Sequence, residues 1–348
     1  MKSFRFKLVV STVLVLMMSC NEPRTVVTNY VYPDGSVRRR IEMRSSENKF
    51  RPYDIQVPFD STWRVWDSIE TGVKGDTTWI RRAEKLFSGV DEINVQYKAD
   101  TGVNKSVVRN ASFRKKFKWF STEYNFSEMI GKIMKSGYPV SKFMNEEELK
   151  WFYSPDDITN EKTDGPDSLR YRQFKDSVDK RVEDWMIASV SAEWIHEFIS
   201  LAREKTDDTL LINSFISREA DLAALIRKSG DNFDSLWTNG IIPGEVIGEA
   251  NARRFKTEID SAANISLDRL FPTFSDYRIR TIMPGKLIST NGFVDSAGVI
   301  LWPVAADYFL TEPYEMTAVS RTMNLWAWIV SGIFILFVIS GLIRKGKG

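Results

Sequence analysis

Apolar and polar residues alternate along much of the first third of the chain, the pattern of strands with one buried and one wet face. Val26 to Tyr32 and Ser36 to Met43 read as such a pair. Pro33-Asp34-Gly35 between them forms a turn, because Pro presets φ and Gly accepts positive φ. Ser61 to Glu70, Thr77 to Phe87, Glu92 to Lys98 and Ser112 to Tyr124 are further strand expectations. From about residue 145 to 268 the period changes to three and four. Asn145 followed by Glu146, Glu147 and Glu148 is a capped helix start with acids in its first turn. Ser168 to Lys205 carries Phe174, Val178, Val182, Trp185, Val190, Trp194 and Phe198 at helical spacing, and Ser214 to Lys228 repeats it more briefly. Asn239 to Gly244 reads as a loop and Glu245 to Ala263 as another helix. Strand patterns return at Tyr277 to Met283, Lys286 to Thr290, Gly298 to Pro303 and Tyr314 to Arg321. The expected class is α+β: an antiparallel β-sheet with a helical insertion, spanning residues 25–324 as one domain.

The two ends carry a different signal. Leu325 to Ile343 holds no charge, and at roughly 1.5 Å per residue it makes a helix of roughly 28 Å, the thickness of a bilayer's hydrocarbon core. Trp326 and Trp328 stand where an interfacial aromatic belt belongs. Arg344, Lys345 and Lys347 follow and mark the cytoplasmic side, making residues 344–348 a short cytoplasmic tail. At the other end, Lys2, Arg5 and Lys7 precede an apolar run from Leu8 to Met18 that is too short to span. The run closes on Met17-Met18-Ser19-Cys20, which resembles the lipobox of bacterial lipoproteins, in the looser form known from Bacteroidetes. The resemblance implies a signal peptide over residues 1–19 and an acylated Cys20, with residues 20–24 as a lipid-anchored tether. Together the ends place the body of the chain outside the cytoplasm, with the helix in the inner membrane and the ectodomain in the periplasm. Whether the lipid sits in the inner or the outer membrane stays open.

Composition narrows the chemistry. With 43% apolar and 27% charged residues the chain is globular, and 48 basic against 46 acidic residues leave a formal charge of +2, so no global field points to nucleic acid. Cys20 is the only cysteine and His196 the only histidine, which excludes disulfides within the chain and leaves little for metal or acid–base chemistry. Eleven Trp and 22 Phe imply aromatic cores or an aromatic-lined cavity. Glu193-x-x-His196-Glu197 is half of a di-iron motif with no second copy, and reads as part of a long helix. Asp156-Asp157 and Asp207-Asp208 read as helix caps. No phosphate-binding glycine loop or nucleophile elbow is present. No enzymatic activity and no cofactor are expected. Arg109, Arg114, Lys115, Lys116 and Lys118, interleaved with Phe113, Phe117 and Trp119, fit either a surface facing anionic headgroups or the solvated face of a strand.

Two further resemblances concern the exported part. Met283-Pro284-Gly285-Lys286, Thr290-Asn291-Gly292, Val299 and Trp302, ahead of an apolar helix and basic tail, resemble the closing part of LppM-type lipoprotein ectodomains. That family implies binding of envelope lipids. Asp-Ser and Asp-Thr pairs at Ser61, Ser68, Thr77, Ser168, Ser177, Thr209, Ser235, Ser261 and Ser296 resemble the O-glycosylation acceptors of Bacteroidetes secreted proteins. The expected function is non-enzymatic binding of a lipid or other apolar ligand near the membrane, with membrane lipid and an envelope protein as partners. The alternative is a structural or assembly subunit of an envelope complex.

Overall fold

The computed structural model of the chain describes residues 25–46, 50, 57–72, 75, 77–102, 105–154, 168–270 and 274–345. The fold is α+β with one C-terminal helix, Leu325–Lys345, apolar and long enough to cross a membrane. The described chain divides into two compact units. A sheet unit holds the residues up to Ile130, Ser275–Val304 and the residues from Glu315 on; a helical unit holds Gly131–Phe274 and Ala305–Tyr314.

The sheet unit begins with β1 (Thr25–Val31) and β2 (Val37–Ser45), paired antiparallel across the Pro33-Asp34-Gly35 turn. Gly35 takes φ +94°, and Asp34 accepts both the amide and the hydroxyl of Ser36, so the turn forms as its residues demand. With β3 (Arg64–Thr71), β4 (Thr77–Phe87), β7 (Tyr277–Ile282), β9 (Phe293–Val294) and β10 (Ile300–Val304) these strands make a seven-stranded sheet in the order β3-β4-β2-β1-β7-β10-β9. The β1–β7 pair is parallel, Thr25 against Tyr277, which is how the chain returns to the sheet after the helical insertion. Alternate residues of β1 and β2 are buried, including Val27, Val37, Ile41 and Met43, so one face carries the core. A second, four-stranded sheet has the order β5-β6-β11-β8, with β5 at Arg109–Lys118, β6 at Ser121–Ile130, β8 at Lys286–Thr290 and β11 at Tyr314–Met323.

Two expectations in this unit are corrected. Val90–Lys98, read as strand from Glu92, is helix α1. Its Val, Ile and Tyr favour strand locally, but Ile93 and Tyr97 stand four apart, Asp91 and Glu92 fill the first turn, and burial of Ile93 decides for helix. Ser112 to Tyr124 is not one strand but a hairpin, β5 turning at Trp119-Phe120 into β6 with Lys118 opposite Ser121. No Gly, Pro or Asn marks this turn, and the residue that holds it lies two hundred positions away.

The helical unit is organised by α3 (Ser168–Arg203), 36 residues and so about 54 Å long, after α2 (Glu146–Phe152) with its full capping box at Asn145 and Glu148. One stretch of α3 (Val178, Val182, Trp185) packs on Met134, Val140, Met144 and Leu310. The next (Trp194, Phe198, Ala202) packs on the shorter helices α4 (Thr209–Ile216), α5 (Glu219–Ser229), α6 (Phe233–Thr238), α7 (Ile241–Ile247), α8 (Glu249–Arg254) and α9 (Lys256–Leu270). The loop expected at Asn239 to Gly244 is largely α7. Gly240 at φ +75° makes the turn, and Pro243 falls within the first helical turn, where its missing N–H costs nothing. The single helix expected from Glu245 to Ala263 is broken at Gly248, φ +83° and ψ 143°, and again at Phe255, which turns inward and is fully buried. Ser214 to Lys228 is likewise divided, at Ser217-Arg218.

Candidate functional site

Three constellations carry chemistry: the junction of the apolar helix (α10, Leu325–Lys345) with the sheet unit, and one charged cluster inside each unit.

The junction rests on Asn324. Strand β11 ends at Met323 and α10 starts at Leu325, leaving one residue between them. The Asn324 amide donates to the Phe120 carbonyl at 3.0 Å, and its side-chain amide donates to the carbonyls of Lys118 at 2.8 Å and Trp119 at 3.2 Å. Its side-chain oxygen accepts the Thr122 hydroxyl at 3.0 Å, and its own carbonyl accepts the Ala327 amide at 2.9 Å. One residue therefore caps the helix, closes the β5–β6 turn and ties the two together. Around it the aromatic rings meet. Phe117 stacks on Trp326 (centroids 6.3 Å, planes 8° apart), Trp119 meets Trp326 edge-on at 5.3 Å, and Phe120 lies 4.4 Å from Trp328. The Trp119 indole N–H donates to the Ser331 hydroxyl, 3.0 Å away in the second turn of α10. These rings pack on each other yet stay open: Phe117 is 57% exposed, Trp119 48% and Trp326 51%. Arg114, Lys115, Lys116 and Lys118 along β5 are all exposed. Lys118 and Arg321 share the carboxylate of Glu123, holding it below the usual range.

Inside the sheet unit, Glu128 of β6 is buried against Arg39 of β2, which also donates to Tyr97 of α1 and, at 2.8 Å, to Asn29 of β1. Asn29 and Tyr97 both donate to Glu128, at 2.8 and 3.0 Å. The two sheets and α1 thus share one network. Burial drives the Tyr97 phenol well above its ordinary pKa, against the pull of Arg39, so it stays a neutral donor. Arg109 of β5 lies at its edge, only 8% exposed, its guanidinium 5.7 Å from the Tyr97 ring centroid and without a hydrogen-bond partner. Its one favourable contact is with the ring.

In the helical unit, the Glu193-x-x-His196-Glu197 segment comes apart. His196 is exposed while both glutamates turn inward. Arg269 of α9 bridges Glu193 at 2.5 Å and Glu197 at 2.6 Å; Glu193 accepts the Ser136 amide and Glu197 pairs with Lys135. Burial would raise the Glu197 carboxyl, but its bonds to Arg269 and Lys135 outweigh this and hold it low. The segment is a clamp on a long helix. Among the described residues, no group of three or more His, Cys, Asp or Glu is placed to hold a metal.

Two shallow hollows lie among the described residues. One, of about 550 Å³, lies over Tyr32, Pro33, Asp34, Ser36, Arg38 and Leu86 at the first hairpin turn; the other, of about 200 Å³, lies beside α4 at Arg203, Asp207 and Thr209. Tryptophan and phenylalanine of the helical unit stack into cores, as Trp194 does on Phe198 and Trp237. In comparisons with protein families, characterised proteins and solved structures, nothing matches the chain.

Of the other sequence candidates, Cys20 and the leader lie outside the described residues, as do Asp156-Asp157. Asp208 caps α4 as expected, accepting the Leu211 amide. Ser61, Thr77, Ser177, Thr209, Ser235 and Ser296 are exposed; Ser68, which accepts from Arg82, and Ser261 are half-buried, and Ser168 opens α3. Gly285 and Gly292 of the LppM-like stretch have local reasons: a side chain at Gly285 would strike the Arg321 carbonyl, and one at Gly292 the Trp302 ring. Asn29, Arg39, Glu128 and Asn324 were missed by sequence reasoning. Arg39 and Asn29 stood at inward positions of amphipathic strands, a polar residue where the alternation calls for an apolar one, and that signal was readable.

Proposed function

We propose that the chain is a non-enzymatic, membrane-mounted subunit of a bacterial envelope assembly, its ectodomain in the periplasm, its apolar helix in the inner membrane and Cys20 acylated. The observation that carries this reading is the one-residue passage from β11 to α10, locked by the bonds of Asn324. A domain that ferries a ligand gains from a long flexible tether. A domain that must present a surface at a set height and attitude gains from a stiff mount, and the sheet unit has one. Trp194, Phe198 and Trp237 are packed in the helical core and Phe117, Trp119, Phe120, Trp326 and Trp328 at the junction, so lipid contact in this reading belongs to the outside of the fold.

The test is crosslinking in cells, with photoreactive amino acids at Ile69, 53% exposed on the outer strand β3, and at Leu210, 82% exposed on α4. The assembly reading expects a discrete adduct with one envelope protein from at least one site. Lipid adducts alone, or none, would overturn it, and stoichiometric lipid on the purified chain would return the function to ligand binding.

A further inference from the structure

We propose that the β5–β6 hairpin tip is a second membrane contact: Trp119 and Phe120 enter the membrane beside α10, at and just below the headgroup layer, and the cations of β5 hold anionic phospholipid there. This rests on the reading that α10 spans the bilayer. The argument is one of depth. The apolar stretch Leu325–Ile343 has about the length of the hydrocarbon core, so Leu325 lies near its boundary. Ser331 is six residues further in, about 9 Å along the axis. The headgroup layer on each side is only about 5–8 Å thick. With Leu325 at the hydrocarbon boundary, the Trp119 indole bonded to Ser331 therefore lies below the headgroup layer, in the outer part of the hydrocarbon core.

The chemistry agrees with that position. An indole N–H in a low-dielectric layer needs a partner within the protein, and Ser331 is one. Phe117, Trp119, Phe120, Trp326 and Trp328 form a ring cluster about half exposed, which costs apolar hydration in water and none at the interface. Behind the tip, at about 3.3 Å per residue along β5, Lys118 is next to the turn, with Lys116 roughly 7 Å and Arg114 roughly 13 Å further along the strand. Lys118 is half engaged by Glu123, whereas Arg114 and Lys116 have no carboxylate partner among the described residues. Charges within about a Debye length of a phosphate layer attract its anionic members.

Depth quenching tests this on the full chain in vesicles. A fluorescent amino acid is placed at Phe120 or, in a second protein, at Phe334 in mid-span, and lipids carry bromine near the headgroup or near the chain end. The expected result is quenching of position 120 by shallow bromine and of position 334 by deep bromine. Quenching at 334 with none at 120 overturns the hairpin contact while the span stands; quenching at neither overturns both. In vesicles mixing phosphatidylglycerol with phosphatidylcholine, enrichment of the anionic lipid around the protein is expected to fall roughly five-fold per cation removed in R114Q and K116Q at low salt. Unchanged enrichment in the doubly substituted chain overturns the headgroup role of β5.

Discussion

The two units bury charge in opposite ways. In the sheet unit, one carboxylate, Glu128, answers the buried guanidinium of Arg39, with neutral Tyr97 and Asn29 filling the remaining bonds, while Arg109 is buried with no hydrogen-bond partner. In the helical unit, two carboxylates, Glu193 and Glu197, face Arg269 and Lys135, and the cations stand at the rim. An arginine keeps its proton at any ordinary pH, so a cation-rich interior has no escape when its carboxylate is lost. A carboxylate-rich cluster can take up a proton and neutralise itself. The first cluster fixes how sheets and helix meet and is brittle; the second clamps a long helix and can yield to pH.

The largest effect that would break this contrast is at Glu128. Glu128→Gln keeps shape but strands Arg39, and should destabilise the sheet unit by about 4 kcal/mol, read from hydrogen exchange of β1 and β2 amides in the detergent-solubilised chain. A small loss would mean that the network is wetter than its burial implies. Arg269→Leu should cost the helical unit less, about 2–3 kcal/mol near neutral pH, because Lys135 still serves Glu197 and Ser136 still serves Glu193. Glu197, held low in the folded chain, contributes stability above its ordinary range that is lost as pH falls through its lowered value. The deficit of the variant should therefore shrink as pH falls through the ordinary carboxylate range.

Asp307 sharpens the same point with the opposite sign. Burial lifts its carboxyl to about 6, so the folded chain holds a proton there that the unfolded chain has released. Its contribution is present at low pH and lost as pH rises through about 6. Asp307→Asn should stabilise the helical unit by about 1–2 kcal/mol at alkaline pH and by nothing near its ordinary carboxylate range. Some solvent access keeps this below the roughly 3 kcal/mol that complete burial of the charge implies. The smallest expected effect is at Arg109: Arg109→Met removes a buried cation bonded to no oxygen, and unfolding should show a change within about 1 kcal/mol, on the stabilising side.

What the sequence disclosed follows from range. The β1–β2 turn, the capping box at Asn145 and the long apolar helix are written in neighbouring residues, and each formed where expected. The β5–β6 turn was not, because its carbonyls are satisfied by Asn324 rather than by anything near Trp119. Glu193 and His196 shared a suggestive spacing, but the helix turns the acids at 193 and 197 onto one inward face and leaves the imidazole exposed. The buried network in the sheet unit was half legible, since Arg39 interrupts an apolar face; its carboxylate lies 89 positions away on another sheet, and no local pattern pairs them.

Asn324 has a mechanical consequence. A bilayer that thickens, thins or curves changes the tilt of the helix it holds. On the proposed reading that α10 spans a bilayer, the absence of slack between that helix and β11 would turn tilt into rotation of the four-stranded sheet, passed to β8 on one side and to the β6–β5 pair on the other. Glycines inserted after Met323 would loosen β11 alone, because Asn324 and the Trp119–Ser331 bond still hold the helix to the β5–β6 turn; uncoupling the two needs Asn324→Gly and Trp119→Ala as well.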